Sequence, residues 1–438
     1  MSAKNASQLK KAGKSQDNSR LTPGRIRRHR LIWKLGRPLM QPLMHRRYRF
    51  HAKKETGLPD CFLLLCNHVT HLDPLLVVDS FPNQMYFVAS EHIQRKKIAP
   101  LMMALTAPII RRKSRTETGT AMDILRRLKA GCSVCVFIEG ERSYAGQTEF
   151  IPDSAAHLAK MCGCHLVTYR LEDGYFTEPR WASSSRPNGH MTGHVVNVYS
   201  PEQLKAMSRQ EALEHIREDL WLDAYAVQEK EMLSYPGQNL AEHLETALFY
   251  CPVCGALGRM KSKGDRFFCE ECGLDLRYTD KGYLEAADGS APPYTTVRDW
   301  FNWQKEAVTA LADSRYGEHE LLTCDENQLL FAVDEDNHTS RQLATGKLAL
   351  YGDGLEFLAP GFELKLPLSR LNAVSCHESK LLSFSVNGEE GAGFYEVDCV
   401  TPRSAVKYQL MFRALKERQL AEAAQKAPKK EKPGPAGK

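Results

Sequence analysis

The chain has 438 residues, 42% of them hydrophobic and 26% charged, which is typical of a globular protein of two to four domains and argues against a fibrous or wholly disordered chain. Its longest apolar run, residues 101–110, is far shorter than a membrane-spanning helix, so membrane contact is expected only at the surface. The odd count of 13 cysteines, four of them in metal-binding spacing, predicts a reducing, cytoplasmic compartment.

Positive charge is concentrated near the N-terminus. Residues 1–60 contain 16 Lys and Arg against 3 acidic residues, a net charge of +13, whereas the other 378 residues sum to −7. Residues 1–24 are rich in small polar and basic residues, which predicts a disordered basic tail.

Residues 25–57 combine basic residues with large apolar ones. Pro38 and Pro42 are expected to break the segment into short helices. We predict amphipathic helices that lie on an anionic membrane surface; a nucleic-acid-binding arm and a helix packed on the next domain remain alternatives. The predicted apolar face consists of Ile32, Leu35, Leu39 and Leu43, flanked by Arg27, Arg28, Arg30, Lys34 and Arg37.

An unbroken apolar run, residues 61–66, leads directly into Asn67 and His68. Such a run favours a strand buried on both faces, and its polar successors then lie where open α/β sheets bind ligands. Asp73 follows His68 by five positions, close enough to orient an imidazole that acts as a general base. Because Asp73 also precedes Pro74, an ordinary helix start explains it equally well.

Beyond this strand, strands and helices alternate, and a second strand ends in the polar turn 139–143. The alternation predicts an α/β domain over residues 58–232, with a mostly parallel sheet flanked by helices. The further predicted strands are residues 84–89, 107–112, 133–138, 165–171 and 194–199, and the predicted helices are residues 91–105, 117–130, 153–161 and 201–230.

The two polar turns, NHVTHLD at 67–73 and FIEGERS at 137–143, resemble the NHxxxxD and FPEGTRS signatures of the glycerolipid acyltransferase superfamily, typified by 1-acylglycerol-3-phosphate acyltransferases. The resemblance covers roughly residues 31–199. Ile138 stands where the family has proline and Glu141 where it has threonine, so the chain resembles a divergent branch. A carboxylate at 141 would repel a nearby phosphate unless it points away.

The resemblance implies a role for each motif residue. His68 would be the general base on an acceptor hydroxyl and Asp73 its orienting partner, with no acyl-enzyme intermediate. Arg142 and Arg112 would hold a phosphate through their planar guanidinium groups. The implied substrate-binding residues are Asn67, Arg112, Glu139, Gly140, Arg142 and Ser143.

The activity implied by the resemblance is transfer of a fatty acyl group from acyl-CoA or acyl carrier protein to a lysophospholipid hydroxyl, with 1-acylglycerol-3-phosphate as the expected acceptor. The protein would then act in phospholipid biosynthesis, as a peripheral enzyme on the inner face of the membrane. A non-catalytic membrane adaptor is the alternative function. Nothing base-reading accompanies the basic residues, so nucleic acid is not an expected partner.

Four cysteines predict a metal site within residues 248–280. Cys251 and Cys254 form one CxxCG knuckle and Cys269 and Cys272 a second, with 14 residues between Cys254 and Cys269. Two such knuckles present four thiolates tetrahedrally, resemble a zinc ribbon, and leave no open position, so structural zinc is expected. Iron in a rubredoxin-like site is the smaller alternative.

The rest of the chain changes to a β pattern. Residues 281–318 are expected to form a linker and a helix, 297–311. Residues 319–425 show several short strands around a Gly-Asp-Gly hairpin and then a helix, 404–425. This arrangement resembles a pleckstrin-homology or GRAM-like domain, which would bind lipid headgroups or a protein partner. Residues 426–438 have the composition of a disordered tail.

Overall fold

The protein is described by a computed structural model that covers residues 21–53, 55, 57–95, 98–111, 117–186, 189–334, 339–377, 380–387, 393–400 and 403–426. The chain divides into two compact units. The first comprises residues 1–180 and 184–237, and the second comprises residues 181–183 and 238–438. Predictions for residues 1–20 and 427–438 lie outside the described residues.

The first unit contains a seven-stranded sheet in the order β1-β7-β6-β2-β5-β3-β4. All neighbouring strands run parallel except β6 and β7, which are antiparallel. The prediction of a mostly parallel sheet in an α/β fold is therefore confirmed. The strands are β1 (His51–Ala52), β2 (Phe62–Cys66), β3 (Met85–Ser90), β4 (Ile109–Arg111), β5 (Ser133–Phe137), β6 (His165–Glu172) and β7 (Thr192–Tyr199).

Helices cover both faces of this sheet, because side chains along β2 alternate between two apolar cores. Leu63 and Leu65 pack into one core, and Phe62 and Leu64 into the other. All four side chains are fully buried, which explains the unbroken apolar run. The helices are α1 (Pro23–Tyr48), α2 (Asp73–Ser80), α3 (Ala99–Thr106), α4 (Glu117–Lys129), α5 (Ser154–Met161), α6 (Pro201–Ala206), α7 (Arg209–Leu220) and α8 (Ala224–Glu231), with a 3₁₀ turn at Glu91–Arg95.

Helix α1 is continuous through Pro38 and Pro42, so the predicted break into short helices is wrong. Each proline leaves one carbonyl without its helical N–H partner, but both prolines are exposed and water can satisfy the carbonyls on that side. The opposite side of α1 is anchored by buried residues such as Trp33, whose indole N–H donates to Phe81 O at 3.1 Å.

The single helix predicted over residues 201–230 is also wrong, because α6, α7 and α8 replace it. Helix α6 ends with Met207 as its C-cap, and Ser208 caps α7 through a reciprocal pair of hydrogen bonds with Glu211. Asp223 then caps α8 by accepting from the backbone of Tyr225. These caps were readable in the sequence, but the long apolar periodicity obscured them.

The second unit begins with a four-stranded antiparallel sheet in the order β11-β10-β9-β8. Helix α9 (Val297–Arg315) follows it, with Trp300 fully buried. The Gln304 side chain of α9 donates to Ala247 O and accepts from Phe249 N, which holds the start of the cysteine segment against the helix. The four strands are β8 (Met260–Lys263), β9 (Arg266–Cys269), β10 (Asp275–Tyr278) and β11 (Leu284–Ala286).

A larger antiparallel sheet completes the second unit, in the order β15-β14-β13-β12-β18-β17-β16. Helix α10 (Val406–Lys426) follows the last strand, and most of its first ten residues are buried. The expected mainly-β region is confirmed. The strands are β12 (Leu321–Asp334), β13 (Thr339–Tyr351), β14 (Gly354–Ala359), β15 (Phe362–Pro367), β16 (Leu371–His377), β17 (Leu381–Val386) and β18 (Gly393–Cys399).

In the described part of the chain, no helix combines the length and apolar character needed to cross a bilayer. The domain bounds 25–57, 58–232, 248–280, 281–318 and 319–425 stay predictions, because the structure divides the chain into two units without separating these segments further.

Candidate active site

His68 and Asp73 meet at the carboxyl end of β2. His68 Nδ1 lies 2.7 Å from Asp73 Oδ2, and the Asp73 side chain is fully buried. Asp73 also accepts from the backbone N–H groups of Val69 and Thr70, at 2.6 and 2.9 Å, and from the Thr70 hydroxyl. These donors hold the carboxylate in place, so it can in turn fix the orientation and tautomer of the His68 ring.

Asn67 links the loop that carries His68 to the neighbouring strand β6. Its amide nitrogen donates to Leu171 O and its amide oxygen accepts from Leu171 N, both at 2.8 Å. The side chain is 1% exposed. Asn67 was predicted to bind substrate, but both ends of its amide are used by the backbone of Leu171. We therefore assign Asn67 the role of positioning the loop that carries His68.

Glu139 lies across the site, in the turn that follows β5. It accepts from the backbone N–H groups of His68 at 3.1 Å and Glu149 at 3.4 Å. Burial raises the pKa of this carboxyl to about 8, against the opposing effect of the two N–H donors. Near neutral pH the Glu139 carboxyl is therefore largely protonated, and it can donate as well as accept a hydrogen bond.

Gly140 forms a turn that brings a cation to the site. Its φ is +73°, a conformation that glycine adopts without strain. Arg111 Nη1 lies 3.0 Å from the position that a Cβ at Gly140 would occupy. Any larger side chain at 140 would therefore displace the Arg111 guanidinium, which reaches the turn from the end of β4.

Arg142 makes an ion pair with Glu178, a residue that the sequence analysis did not single out. Arg142 Nη1 lies 3.1 Å from Glu178 Oε1, and both side chains are mostly buried. Glu178 also accepts from the Tyr48 hydroxyl at 2.6 Å and from His71, through its backbone N–H at 3.0 Å and its ring. Burial alone would raise the pKa of Glu178, but these hydrogen bonds outweigh it and lower the pKa to about 2.

Glu141, the departure from the family motif that put a phosphate site in doubt, is neutralised by Arg180. Arg180 Nη1 lies 3.2 Å from Glu141 Oε2 and donates to Arg142 O at 2.6 Å. The guanidinium also lies over the ring of Tyr144, 4.0 Å from its centroid. The negative charge of Glu141 is thus offset by the Arg180 guanidinium.

A small, open cleft lies beside His68. Ser143 lines it, and the Ser143 hydroxyl accepts from the backbone N–H groups of Ala145 and Gln147, both at 3.1 Å. Ser143 therefore shapes the wall of the cleft. The cleft is lined, among others, by Asn67, His68, Glu139, Ser143, Gln147 and Thr148.

Of the predicted site residues in this unit, the structure brings Asn67, His68, Asp73, Glu139, Gly140, Arg142 and Ser143 to one end of the sheet, and Arg112 lies outside the described residues. The residues that sequence reasoning missed are Arg111, Glu178 and Arg180. Arg111 is the immediate neighbour of the predicted Arg112, so the family resemblance located a basic residue of the site to within one position. Glu178 and Arg180 lie in a loop with no motif, and only the folded chain places them against the FIEGERS turn.

The four predicted metal ligands converge in the second unit. The sulfur atoms of Cys251, Cys254, Cys269 and Cys272 all lie within 4.8 Å of one another. The Cys251–Cys272 and Cys254–Cys269 sulfur distances are 3.7 and 3.8 Å. A tetrahedron with metal–sulfur bonds of about 2.3 Å has edges of about 3.8 Å, so the spacing fits a zinc ion with four thiolate ligands.

The two knuckles of this metal centre have the same backbone structure. Gly255 donates to Cys251 O at 3.0 Å, and Gly273 donates to Cys269 O at 3.1 Å. Both glycines have a positive φ, 69° and 75°, which allows the tight turn after each CxxC pair. The cysteine cluster could therefore hold a metal ion, and four thiolate ligands favour zinc.

One comparison with known proteins covers the part of the chain that contains the first of these two sites. Residues 47–172, which include both motif turns, match the family model described as Acyltransferase. The chain therefore carries an acyltransferase domain over residues 47–172. No curated protein matches the chain.

Solved structures show weaker likenesses. The 1-acyl-sn-glycerophosphate (LPA) acyltransferase PlsC from Thermotoga maritima is 18% identical, over 51% of this chain and 87% of that chain, with a TM-score of 0.38. Two structures of the Ran-binding domain of Nup2 from Ashbya gossypii are 15% and 13% identical, over 23% of this chain and 96% and 98% of theirs, each with a TM-score of 0.18. At these TM-scores the structures add nothing to the family assignment.

Proposed function

We propose that the protein is a peripheral membrane O-acyltransferase that moves a fatty acyl group from a thioester, acyl-CoA or acyl carrier protein, to the hydroxyl of a lysophospholipid. The observation that carries the proposal is the 2.7 Å contact between His68 Nδ1 and Asp73 Oδ2 beside a cleft. The expected acceptor is 1-acylglycerol-3-phosphate, which would place the enzyme in phospholipid biosynthesis at the inner face of the membrane.

In the proposed reaction, the Asp73 carboxylate keeps the His68 proton on Nδ1 and leaves Nε2 as the base. His68 Nε2 takes the proton of the acceptor hydroxyl while the hydroxyl oxygen attacks the thioester carbonyl. The carbon–sulfur bond then breaks, and the imidazolium returns its proton to the leaving thiolate. The side chain of His68 is only 22% exposed, so much of this proton transfer takes place away from bulk water.

Arg111 and Arg142 are the cations proposed to hold the phosphate of the acceptor, together with Arg112. The bond to Glu178 uses one amino group of Arg142, which leaves other N–H donors of the guanidinium for a phosphate. Arg111 approaches the same turn at Gly140 from the end of β4. A phosphate bound between these cations would accept hydrogen bonds from the same Arg142 guanidinium that donates to Glu178. The preference for a headgroup therefore depends on the strength of the Arg142–Glu178 ion pair.

The membrane surface is proposed to include α1 and α3. Leu31, Leu35, Leu39 and Leu43 recur every four residues along α1, and each is more than half exposed. Helix α3 lies beside α1, since Arg28 Nη2 donates to Ala104 O at 2.7 Å, and exposes Leu101. Exposed apolar side chains next to basic ones match the headgroup region of an anionic bilayer.

In the second unit we propose a structural zinc ion at Cys251, Cys254, Cys269 and Cys272. Bound zinc would supply a crosslink between the two knuckles and no open coordination site. For the seven-stranded sheet and α10 we propose a PH- or GRAM-like domain that binds lipid headgroups or a protein partner. Its support is the antiparallel sheet order followed by one C-terminal helix.

The test of the catalytic proposal uses purified protein, a labelled acyl thioester and a panel of lysophospholipid acceptors. Substitution His68→Ala is expected to lower the transfer rate by roughly 10²–10⁴-fold, because it removes the general base. The exposed His157 on α5 supplies the control His157→Ala, which is expected to transfer like wild type. Equal rates for wild type and His68→Ala would refute the proposed base. Membrane binding without transfer to any acceptor would favour the adaptor alternative.

A further inference from the structure

Three cysteines outside both sites lie together at the amino ends of β2 and β6. Cys61 immediately precedes β2, Cys164 immediately precedes β6, and Cys162 follows α5. The thiol of Cys164 interacts with the thiols of both Cys61 and Cys162. Among the described residues, only the four ribbon cysteines bring three or more ligand atoms close enough together to hold a metal ion. We therefore consider Cys61, Cys162 and Cys164 as reactive thiols and not as metal ligands.

The strand register places Cys61 directly beside Cys164. Strands β2 and β6 are parallel, with Phe62 opposite His165 and Leu63 opposite Leu166. One residue earlier, Cys61 therefore faces Cys164, and both side chains pack on the same core as Leu63 and Leu166. Neighbouring strands lie about 4.8 Å apart, which falls within the Cα separation of roughly 4.4–6.8 Å that a disulfide requires.

The three thiols differ in access. Cys61 and Cys164 are partly exposed, whereas Cys162 is buried. The Cys162 sulfur also contacts two backbone carbonyls, Ala159 O at 2.9 Å and Cys164 O at 3.2 Å. A small oxidant in solution therefore reaches Cys61 and Cys164 before it reaches Cys162.

We propose that Cys61 and Cys164 are a redox-responsive pair that a peroxide converts into a disulfide across the amino ends of β2 and β6. The Cys61 thiolate attacks one oxygen of hydrogen peroxide; the O–O bond breaks, a sulfenic acid forms, and the departing hydroxide takes a proton to become water. The Cys164 sulfur then attacks the sulfenic sulfur, the S–O bond breaks, and the second hydroxide leaves with the thiol proton as water. Two thiols are oxidised and one peroxide is reduced to two waters.

The ionisation of the two thiols suits this order of events. The hydrogen bond with Cys164 lowers the pKa of Cys61, and the partners of Cys164 raise the pKa of its own thiol. Of the two partly exposed thiols, Cys61 is thus the better thiolate nucleophile. The hydrogen bond with Cys164 also lowers the pKa of Cys162, to about 7, but Cys162 is buried, so access favours Cys61 as the first thiol to react and its strand neighbour Cys164 as the second. The disulfide would enclose residues 61–164, which include His68 and Glu139. It would lie at the amino ends of the strands, whereas the cleft lies at their carboxyl ends.

The experiment treats the full-length, zinc-loaded protein with hydrogen peroxide, blocks the remaining thiols, and maps disulfides by proteolysis and mass spectrometry without reduction. A linked pair of peptides containing Cys61 and Cys164, two hydrogens lighter than the separate peptides, is expected, together with a raised Tm that a reductant reverses. The variants Cys61→Ser and Cys164→Ser are expected to lose both effects, and Cys162→Ser to keep them.

Measurement of zinc content before and after peroxide distinguishes oxidation of this pair from oxidation of the ribbon cysteines. Because the mapping is carried out on the wild-type chain, it does not depend on whether a variant folds. A disulfide between Cys162 and Cys164 in place of the expected pair would overturn the proposal, as would retention of Cys61 and Cys164 as free thiols after oxidation.

Discussion

Arg142 donates to Glu178 across 3.1 Å, so the arginine expected to receive a phosphate is already paired with a carboxylate. The same carboxylate accepts from Tyr48 at the end of α1 and from His71 in the loop after β2. Glu178 therefore ties three segments together: the helix with the exposed leucines, the loop that carries His68, and the FIEGERS turn. Loss of this carboxylate is expected to affect both stability and headgroup binding.

We predict that Glu178→Gln lowers the free energy of unfolding at pH 7 by about 2 kcal/mol, because it removes a buried carboxylate that Arg142, Tyr48 and His71 depend on. The pKa of Glu178 is lowered to about 2 from 4.5, so its stabilising contribution is present above about pH 4.5 and is lost as the pH falls toward 2. The difference between variant and wild type should therefore narrow in acid.

Urea unfolding of both proteins at pH 7 and at about pH 3 measures this difference. The control Glu214→Gln changes an exposed carboxylate on α7 that accepts from the exposed Gln210 side chain, and it should leave the free energy of unfolding unchanged. If Glu178→Gln were as stable as wild type at pH 7, the Glu178 carboxylate would not hold these three segments together.

The sequence alone predicts contacts that are local or periodic, and it misses those that depend on the fold. His68 and Asp73 are five residues apart, and the ribbon cysteines follow a fixed spacing, so both groups were identified. Arg142 and Glu178 are 36 residues apart with no motif at position 178. Their pairing follows from the way β6 returns the chain beside β2, which no local pattern encodes. The exposed prolines of α1 misled the helix prediction because a proline inside a helix removes one backbone hydrogen bond and usually kinks or ends the helix.

A second prediction concerns Glu141 and Arg180. Substitution Arg180→Ala removes the cation that lies 3.2 Å from the Glu141 carboxylate beside the proposed phosphate site, so KM for 1-acylglycerol-3-phosphate is expected to rise by roughly tenfold, the equivalent of about 1.4 kcal/mol of charge repulsion. Substitution Glu141→Thr in the same chain removes that carboxylate and should restore most of the loss. Steady-state kinetics of the two single variants and the double variant measure the coupling.

The control in this cycle is an acceptor with a neutral headgroup, whose KM should change little in any of the variants. Additive effects of the two substitutions would mean that Arg180 does not shield the site from Glu141. A rise in KM for the neutral acceptor equal to that for the phosphate acceptor would indicate a structural role of Arg180 over Tyr144.

The third prediction addresses the exposed leucines of α1. The double substitution Leu35→Glu and Leu39→Glu should weaken binding to vesicles that contain anionic phospholipid by about 2 kcal/mol, or roughly 30-fold, because two apolar side chains no longer enter the headgroup region. Stability should not change, since Leu35 and Leu39 are 61% and 76% exposed. Vesicle sedimentation with purified protein measures the partition.

A matched control exists in the second unit. Leu420 is 68% exposed and lies beyond the buried first part of α10, so Leu420→Glu changes one exposed leucine to glutamate outside α1 and α3. Its vesicle binding should equal that of wild type. Equal losses in the α1 and α10 variants would show that the exposed leucines of α1 are not the site of membrane contact.

The last prediction concerns the four ribbon cysteines. Elemental analysis of the purified protein is expected to find about one zinc per chain, because the sulfur spacing fits a single tetrahedral ion. Substitution Cys272→Ser should abolish stoichiometric zinc and lower the Tm of the second unit, since metal binding and folding are coupled when four thiolates share an ion. Because Cys272 is exposed, its replacement makes no cavity, and the loss of stability reports the loss of the metal.

The control Cys399→Ser removes a thiol elsewhere in the same unit and should keep both the zinc content and the Tm. Iron in place of zinc in the wild-type protein would contradict the zinc prediction and make the site rubredoxin-like.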